Sequence, residues 1–336
     1  MTSHTNIVKV QVVCPAQLTT GGPESLHNLV KQINNLGVLA ELVYYPYSSQ
    51  FEISKGYAQY AHKATVLDDS ASTLIVFPET LAMHGFAIRH AKVAIWWLSV
   101  DHFLQTKYHT WRDQLRYLRL ALRRHRPFRG VRALNKFQHY SKCHYDASYL
   151  DENKIVHMPL AGPISEEYIQ AGMGMDINNI SVRKNQILFN PKKGAETVAL
   201  LMDKFPQYHF IPLRQFNAQE LLEVYAASKL YIDFGNHPGK ERMPREAAVM
   251  GCCIVTNTRG SAHNAFDVPI PAEFKLEESD ANFLAKFHGL VEQAFHHYEQ
   301  TTALFASYRA SIMHEPEQQR LDIAHILRSY GCTVKI

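Results

Sequence analysis

The chain has 336 residues, 46% hydrophobic and 20% charged, which is enough to bury two cores and too apolar for a disordered chain. No apolar run approaches the ~20 residues that span a bilayer, and residues 1–6 lack the basic and small-residue features of a signal peptide. The formal net charge of +4 is unevenly spread: residues 107–136 hold ten Lys or Arg against one acid, Asp113, so the rest of the chain is mildly acidic.

In chain order, residues 7–13 read as a strand and 17–25 as a Thr/Gly-rich turn. Residues 26–36 have helical spacing at Leu26, Leu29, Val30 and Ile33. Strands follow at 38–45, 64–69, 72–77 and 93–100, with a helix expected at 80–90 before the last of these. Residues 137–142 and 156–159 read as strands around a short helix at 147–150. Near-continuous apolar strands separated by helices predict a parallel sheet covered on both faces. Periodicity fades in the Gly- and Asn-rich stretch 171–185, which is the expected linker after an N-terminal domain of residues 1–170. The pattern restarts with strands at 186–189, 209–212, 230–234 and 252–256 and helices at 195–204, 218–227 and 244–250. Helices are expected at 280–314 and 316–330, so the second domain covers 186–313 and the last segment, 314–336, is expected to pack back on the first domain. The predicted fold class is α/β, with two Rossmann-like doubly wound domains facing a central cleft.

The most informative stretch runs from Gly235 to Thr256. An apolar strand leads into a Gly/Pro loop carrying Lys240, Arg242 and Arg245, with Pro244 placed to open a helix and Glu246 in its first turn. Cations and backbone N–H groups at a helix N-terminus suit an anion, while a carboxylate beside them suits a sugar hydroxyl. The alternative is an ordinary strand–loop–helix connection with solvated charges. Ligands of open α/β sheets sit at the carboxyl ends of strands, and the second domain brings residues 190–194, 214–217 and 235–245 to that edge. Lys192 and Lys193 beside Gly194 would offer cations to a phosphate, or else are solvated lysines at a helix start. Lys240 and Arg242 would supply a second phosphate contact, and Glu241 would pair with one of them.

On the first domain, Asp101 and His102 follow a strand and offer a general base or an acceptor-orienting pair; a helix N-cap at Asp101 is the competing reading. Glu24, behind Gly21 and Gly22, is a further option. Trp96 and Trp97 lie in a buried run and read as core. No D-x-D pair follows a strand, so no essential metal or other cofactor is expected. Five cysteines (Cys14, Cys143, Cys252, Cys253, Cys332) without C-x-x-C spacing indicate reduced thiols and a cytoplasmic protein. In residues 111–126, apolar Trp111, Leu115, Leu118 and Leu122 run beside Arg112, Arg116, Arg119 and Arg123. That pattern fits a helix lying on an anionic membrane surface, or an amphipathic helix packed on its own domain.

These pieces, in this order, resemble a GT-B glycosyltransferase of the retaining, family-4-like branch that serves bacterial capsule, lipopolysaccharide and related surface-polysaccharide synthesis. Thr19-Thr20-Gly21-Gly22-Pro23 resembles that family's N-terminal Gly-Gly loop, and Asn190-Pro191-Lys192-Lys193-Gly194 its Lys-Gly turn. Residues 217–228 resemble the segment passing the nucleobase, and 244–255 closely resemble the signature around the second Glu of its E-x7-E motif. The first Glu of that motif falls at Pro238, with His237 and Glu241 as the nearest polar substitutes, which leaves the stereochemistry open. The resemblance implies a hexosyltransferase that moves a sugar from a nucleotide-sugar donor to a cell-surface glycan or glycolipid acceptor. It places the donor on Lys192, Lys193, Gly194, Arg214, Lys240, Arg242 and Glu246, and the acceptor side on Gly21, Gly22 and Glu24. The candidate catalytic groups are Asp101, His102, His237 and Glu241. A nucleotide-sugar epimerase or another GT-B enzyme is the rival within enzymes. A nucleic-acid- or glycan-binding protein using residues 107–136 is the rival outside them, although no nucleic-acid recognition motif accompanies the patch.

Overall fold

Every second side chain of the first strands goes to the opposite face, and both faces are apolar. On β1 (Lys9–Pro15), Val10, Val12 and Cys14 join one core while Val13 joins another. The same split recurs on β4 (Thr73–Pro78), with Leu74 and Val76 against Ile75 and Phe77, and on β5 (Lys92–Trp97), with Trp96 against Trp97. Both tryptophans are fully buried, as their apolar run predicts, and their indole N–H groups donate to Leu160 O and His139 Nδ1.

This computed structural model describes residues 6–18, 20–47, 51–60, 64–105, 131–177 and 179–335. The amphipathic basic helix expected at 111–126 therefore lies outside the described residues, as does Thr19. The chain divides into two compact units, Met1–Gly162 with Glu317–Ile336, and Pro163–Pro316. No helix among the described residues is long and apolar enough to cross a membrane.

In the first unit, β1 pairs in parallel with β2 (Leu39–Tyr45) and β4. With β3 (Ala64–Thr65), β6 (Gln138–Ser141) and β7 (His157–Pro159), the sheet has the order β3-β2-β1-β4-β5-β6-β7. Helix α1 (Gly21–Asn35) lies on one face, where Leu26, Leu29, Val30 and Ile33 meet β1 and β2. Short α2 (Val100–Gln105) and α3 (His144–Glu152) serve the other face through Val100, Phe103 and Leu150. Residues 79–87, expected as part of an α-helix, wind as a 3-10 helix instead. Gly85 passes so close to β5 that a Cβ there would lie 2.9 Å from Val93 Cγ1, and the narrower winding suits that approach.

The second unit begins earlier than the 171–185 stretch. Helix α4 (Glu166–Met173) is already part of it, and Gly172 sits where a Cβ would fall 2.2 Å from Val249 Cγ1. Its parallel sheet is built from β8 (Lys184–Phe189), β9 (His209–Pro212), β10 (Ser228–Asp233) and β11 (Cys253–Thr256), in the order β11-β10-β8-β9. Helices α5 (Ala195–Lys204), α6 (Ala218–Ala226), α7 (Arg242–Val249) and α8 (Phe283–His296) surround it. Asn217 and Glu220 close a reciprocal capping box at the start of α6. The short α9 (Tyr298–Ala303) precedes α10 (Ala306–Ser329). That last helix continues through Pro316, where a break was expected. Interior proline costs ~3 kcal/mol, but Ile312 is buried in the second unit's core and Ile323, Ala324, Ile326 and Leu327 in the first unit's.

Candidate functional site

In the second unit β8 lies between β9, which follows it in the chain, and β10, which comes later on its other side. The direction of winding therefore reverses between β8 and β10, and the loops leaving their carboxyl ends flank the place where ligands of such sheets bind. The β8 loop is Asn190–Gly194. Asn190 Oδ1 accepts from Lys192 N at 3.0 Å, and Gly194, at φ 60°, caps α5 in the left-handed region. A Cβ on Gly194 would lie 2.6 Å from the carbonyl carbon of Phe234, and one on Gly235 would lie 2.5 Å from Lys193 Cβ. Glycines at both positions thus let the two cationic turns touch. Lys193 Nζ closes the join, donating to Asn236 O at 3.2 Å and ion-pairing with Glu241. Glu241 was expected to pair with a neighbour on its own loop; its partner is the lysine of the other turn. Lys192 is exposed, and so is Arg214 beyond the end of β9.

Helix α7 starts at Arg242, not at Pro244, because proline needs no N–H partner anywhere in the first turn. Glu246 consequently falls past the first turn. It is 1% exposed, with Arg242 Nε 3.1 Å from Oε1 and Tyr225 OH donating to Oε2 at 3.5 Å. Burial holds the Tyr225 phenol well above its ordinary pKa, and the Glu246 carboxylate adds to the effect, so Tyr225 stays a hydrogen-bond donor. The guanidinium of Arg242 is the half-exposed end of this pair.

Lys240 and Arg245 turn inward to a shared carboxylate. Glu315 Oε1 is 2.6 Å from Lys240 Nζ, and Glu315 Oε2 is 2.5 Å from Arg245 Nη1. Arg245 also donates to the carbonyls of Glu241 at 2.9 Å and Lys240 at 3.1 Å, so a buried guanidinium grips the backbone of the cationic loop. Sequence reasoning gave Arg245 no such part, and Glu315 lies seventy residues further along the chain. Arg259 was also missed: its Nη2 donates to Phe234 O at 2.5 Å and to Glu278 at 2.7 Å, and Thr197 on α5 donates to the same Glu278 oxygen. His237 is buried, with Nε2 3.7 Å from Asp233 Oδ1 and 3.5 Å from the Asp233 carbonyl oxygen.

The first unit keeps its candidates apart. Asp101 Oδ1 accepts from Tyr145 OH at 3.0 Å, while His102 is exposed, and its backbone N–H donates to Ser99 Oγ at 3.2 Å. The helix cap is therefore Ser99, not Asp101. Glu24, in the first turn of α1, accepts from Tyr60 OH at 3.4 Å. Gly21 would place a Cβ in open space, and Gly22 would place one 4.0 Å from Leu98. A group the sequence reading overlooked, Glu79, is buried at the end of β4 and accepts from Leu98 N at 3.0 Å. Desolvation pushes its carboxyl up to about 8, partly offset by hydrogen bonds from the backbone.

No protein-family model matches this sequence, and no curated protein matches it. Solved structures do. A glycosyltransferase from Rickettsia africae ESF-5 aligns over 97% of this chain and 98% of its own, at 12% identity and a TM-score of 0.58. Sucrose-phosphate synthase from Thermosynechococcus elongatus aligns over 96% and 98%, at 12% identity and a TM-score of 0.62. An E. coli trehalose-6-phosphate protein bound with UDP-2-fluoro glucose aligns over 97% and 100%, at 10% identity and a TM-score of 0.55. The likeness extends over nearly the whole length of each chain. The fold is the one these glycosyltransferases share: GT-B, with two Rossmann-like domains.

Proposed function

We propose that the chain is a hexosyltransferase that takes its sugar from a nucleoside-diphosphate donor held by the second unit. The observation that carries this reading is the contact of the two cationic turns at the β8–β10 switch point, with Gly194 and Gly235 allowing the close approach. The diphosphate lies over Lys193, Gly194 and Arg242, with Lys192 and Arg214 at the margin; Lys240 is held by Glu315, and the buried Glu246 holds Arg242. In transfer, an acceptor oxygen attacks the anomeric carbon, the bond to the phosphate oxygen breaks, and the acceptor proton leaves to a base. Lysine and arginine supply the charge at the leaving diphosphate, so the proposal includes no essential metal ion. A nucleotide-bound neighbour with this fold supports the donor class.

The narrower parts of the reading rest on the sequence resemblance. They are the family-4-like branch, a surface-glycan acceptor, a cytoplasmic location and contact of residues 107–136 with an anionic membrane. Gly21, Gly22, Glu24, Asp101 and His102 are proposed for the acceptor side. Calorimetric titration with UDP, ADP and GDP and their hexose conjugates tests the donor reading. Binding of one nucleotide series, lost in Lys193→Ala with the fold intact, is the expected result; binding of none, or equal binding by Lys193→Ala, contradicts it.

A further inference from the structure

Carboxylates within the second unit neutralise cations of both turns, and these acids differ in how freely they can let go. Arg242 pairs with Glu246, and Lys240 and Arg245 pair with Glu315; both acids are buried, so drawing a cation away would strand a carboxylate out of water. Lys193 pairs with Glu241, and here both side chains keep contact with solvent, 26% and 22% exposed. The stem of Lys193 is fixed, because Gly235 passes where a Cβ would lie 2.5 Å from Lys193 Cβ and 2.8 Å from its Cδ. Glu241 is tied by its backbone, whose carbonyl accepts from Arg245 Nε at 2.9 Å. It stands at the N-cap position of α7, yet its side chain does not cap the helix. The carboxylate can therefore leave Lys193 for water beside a helix N-terminus, which favours a negative charge.

An anion that takes Lys193 must displace that carboxylate, and the displaced acid stays beside the anion as a like charge. The repulsion grows with the charge the ligand brings. A terminal phosphate has a second pKa of ~6, so a bare nucleoside diphosphate carries one more negative charge at neutral pH than the same nucleotide esterified to a sugar. Resting on the donor reading above, we propose that Glu241 is an internal competitor for Lys193 that sets ligand preference by charge, opposing the bare nucleoside diphosphate more than the sugar nucleotide. It holds Lys193 while the site is empty and takes it back as the diphosphate leaves. The product of sugar transfer is the more highly charged of the two ligands, so the competition limits product retention while weakening donor binding less.

The test measures, by calorimetry, affinities for UDP, ADP and GDP and for UDP-glucose, ADP-glucose and GDP-mannose in the unaltered protein, Glu241→Gln and Glu241→Ala. Both substitutions remove the charge and are expected to tighten the bare nucleotide roughly tenfold and the sugar nucleotide roughly threefold. A gain in affinity also reports that the variant is folded, and loss of a merely structural contact would not produce one. Unchanged or weaker binding in both variants, or equal gains for the two ligands, overturns this assignment while leaving the donor site intact. Should no nucleotide bind the unaltered protein or either variant, the donor reading falls, and the Glu241 assignment with it.

Discussion

Replacing Glu315 with Leu tests whether the buried carboxylate holds the cationic loop in place. Arg245 is 2% exposed and Glu315 6%, so water cannot take the place of the lost partner at Arg245 Nη1. Removing one member of a buried ion pair costs ~3–5 kcal/mol. Two carbonyls still accept from Arg245, and Lys240 retains some solvent contact, which places the expected loss near ~3 kcal/mol. With a urea slope of ~2 kcal/mol per M, the unfolding midpoint of the second unit should fall by ~1.5 M. Pairing the change with Arg245→Met removes the stranded cation but also the donor to the Glu241 and Lys240 carbonyls, so the double variant should recover only part of the loss. A single-variant loss below ~1 kcal/mol, or a double variant no better than Glu315→Leu, would show that the pair does not secure the loop.

Two other expectations follow from the geometry. Gly194→Ala should destabilise the second unit by more than ~2 kcal/mol, combining a left-handed backbone cost with the clash at Phe234, and abolish nucleotide binding in the same variant; denaturation and calorimetry with neither value changed would refute it. Glu79, raised from 4.5 to about 8, stays protonated in the fold while the unfolded chain ionises, so its contribution is full below pH 4.5 and is lost as pH rises towards 8. Stability should therefore decline across that window and decline less in Glu79→Gln, which urea titrations at stepped pH would detect; parallel pH profiles would count against a protonated Glu79.

Much of the fold is legible from local pattern, because a strand buried on both faces announces itself as an apolar run. The Asn190–Gly194 turn was equally readable: Asn bonds its own backbone two residues on, and only Gly sits comfortably in the left-handed cap. What could not be read is partnership across distance. Nothing in residues 235–256 shows that Lys240 and Arg245 share a carboxylate at position 315, or that Glu241 reaches Lys193. Proline misled twice. Pro244 marks the first turn of a helix, not its first residue, and the helix from Ala306 to Ser329 continues through Pro316. Asp101 and His102 are adjacent in sequence, yet one contacts a tyrosine and the other lies in solvent.

Because α10 ends inside the first unit's core, that unit is assembled from two stretches of chain separated by the whole of the second. A ribosome releases residues 1–162 long before Ile323, Ala324, Ile326 and Leu327 exist to cover their apolar neighbours. The first unit must wait, incompletely sealed, for its own C-terminus, while the second has every residue it needs as soon as Pro316 is made.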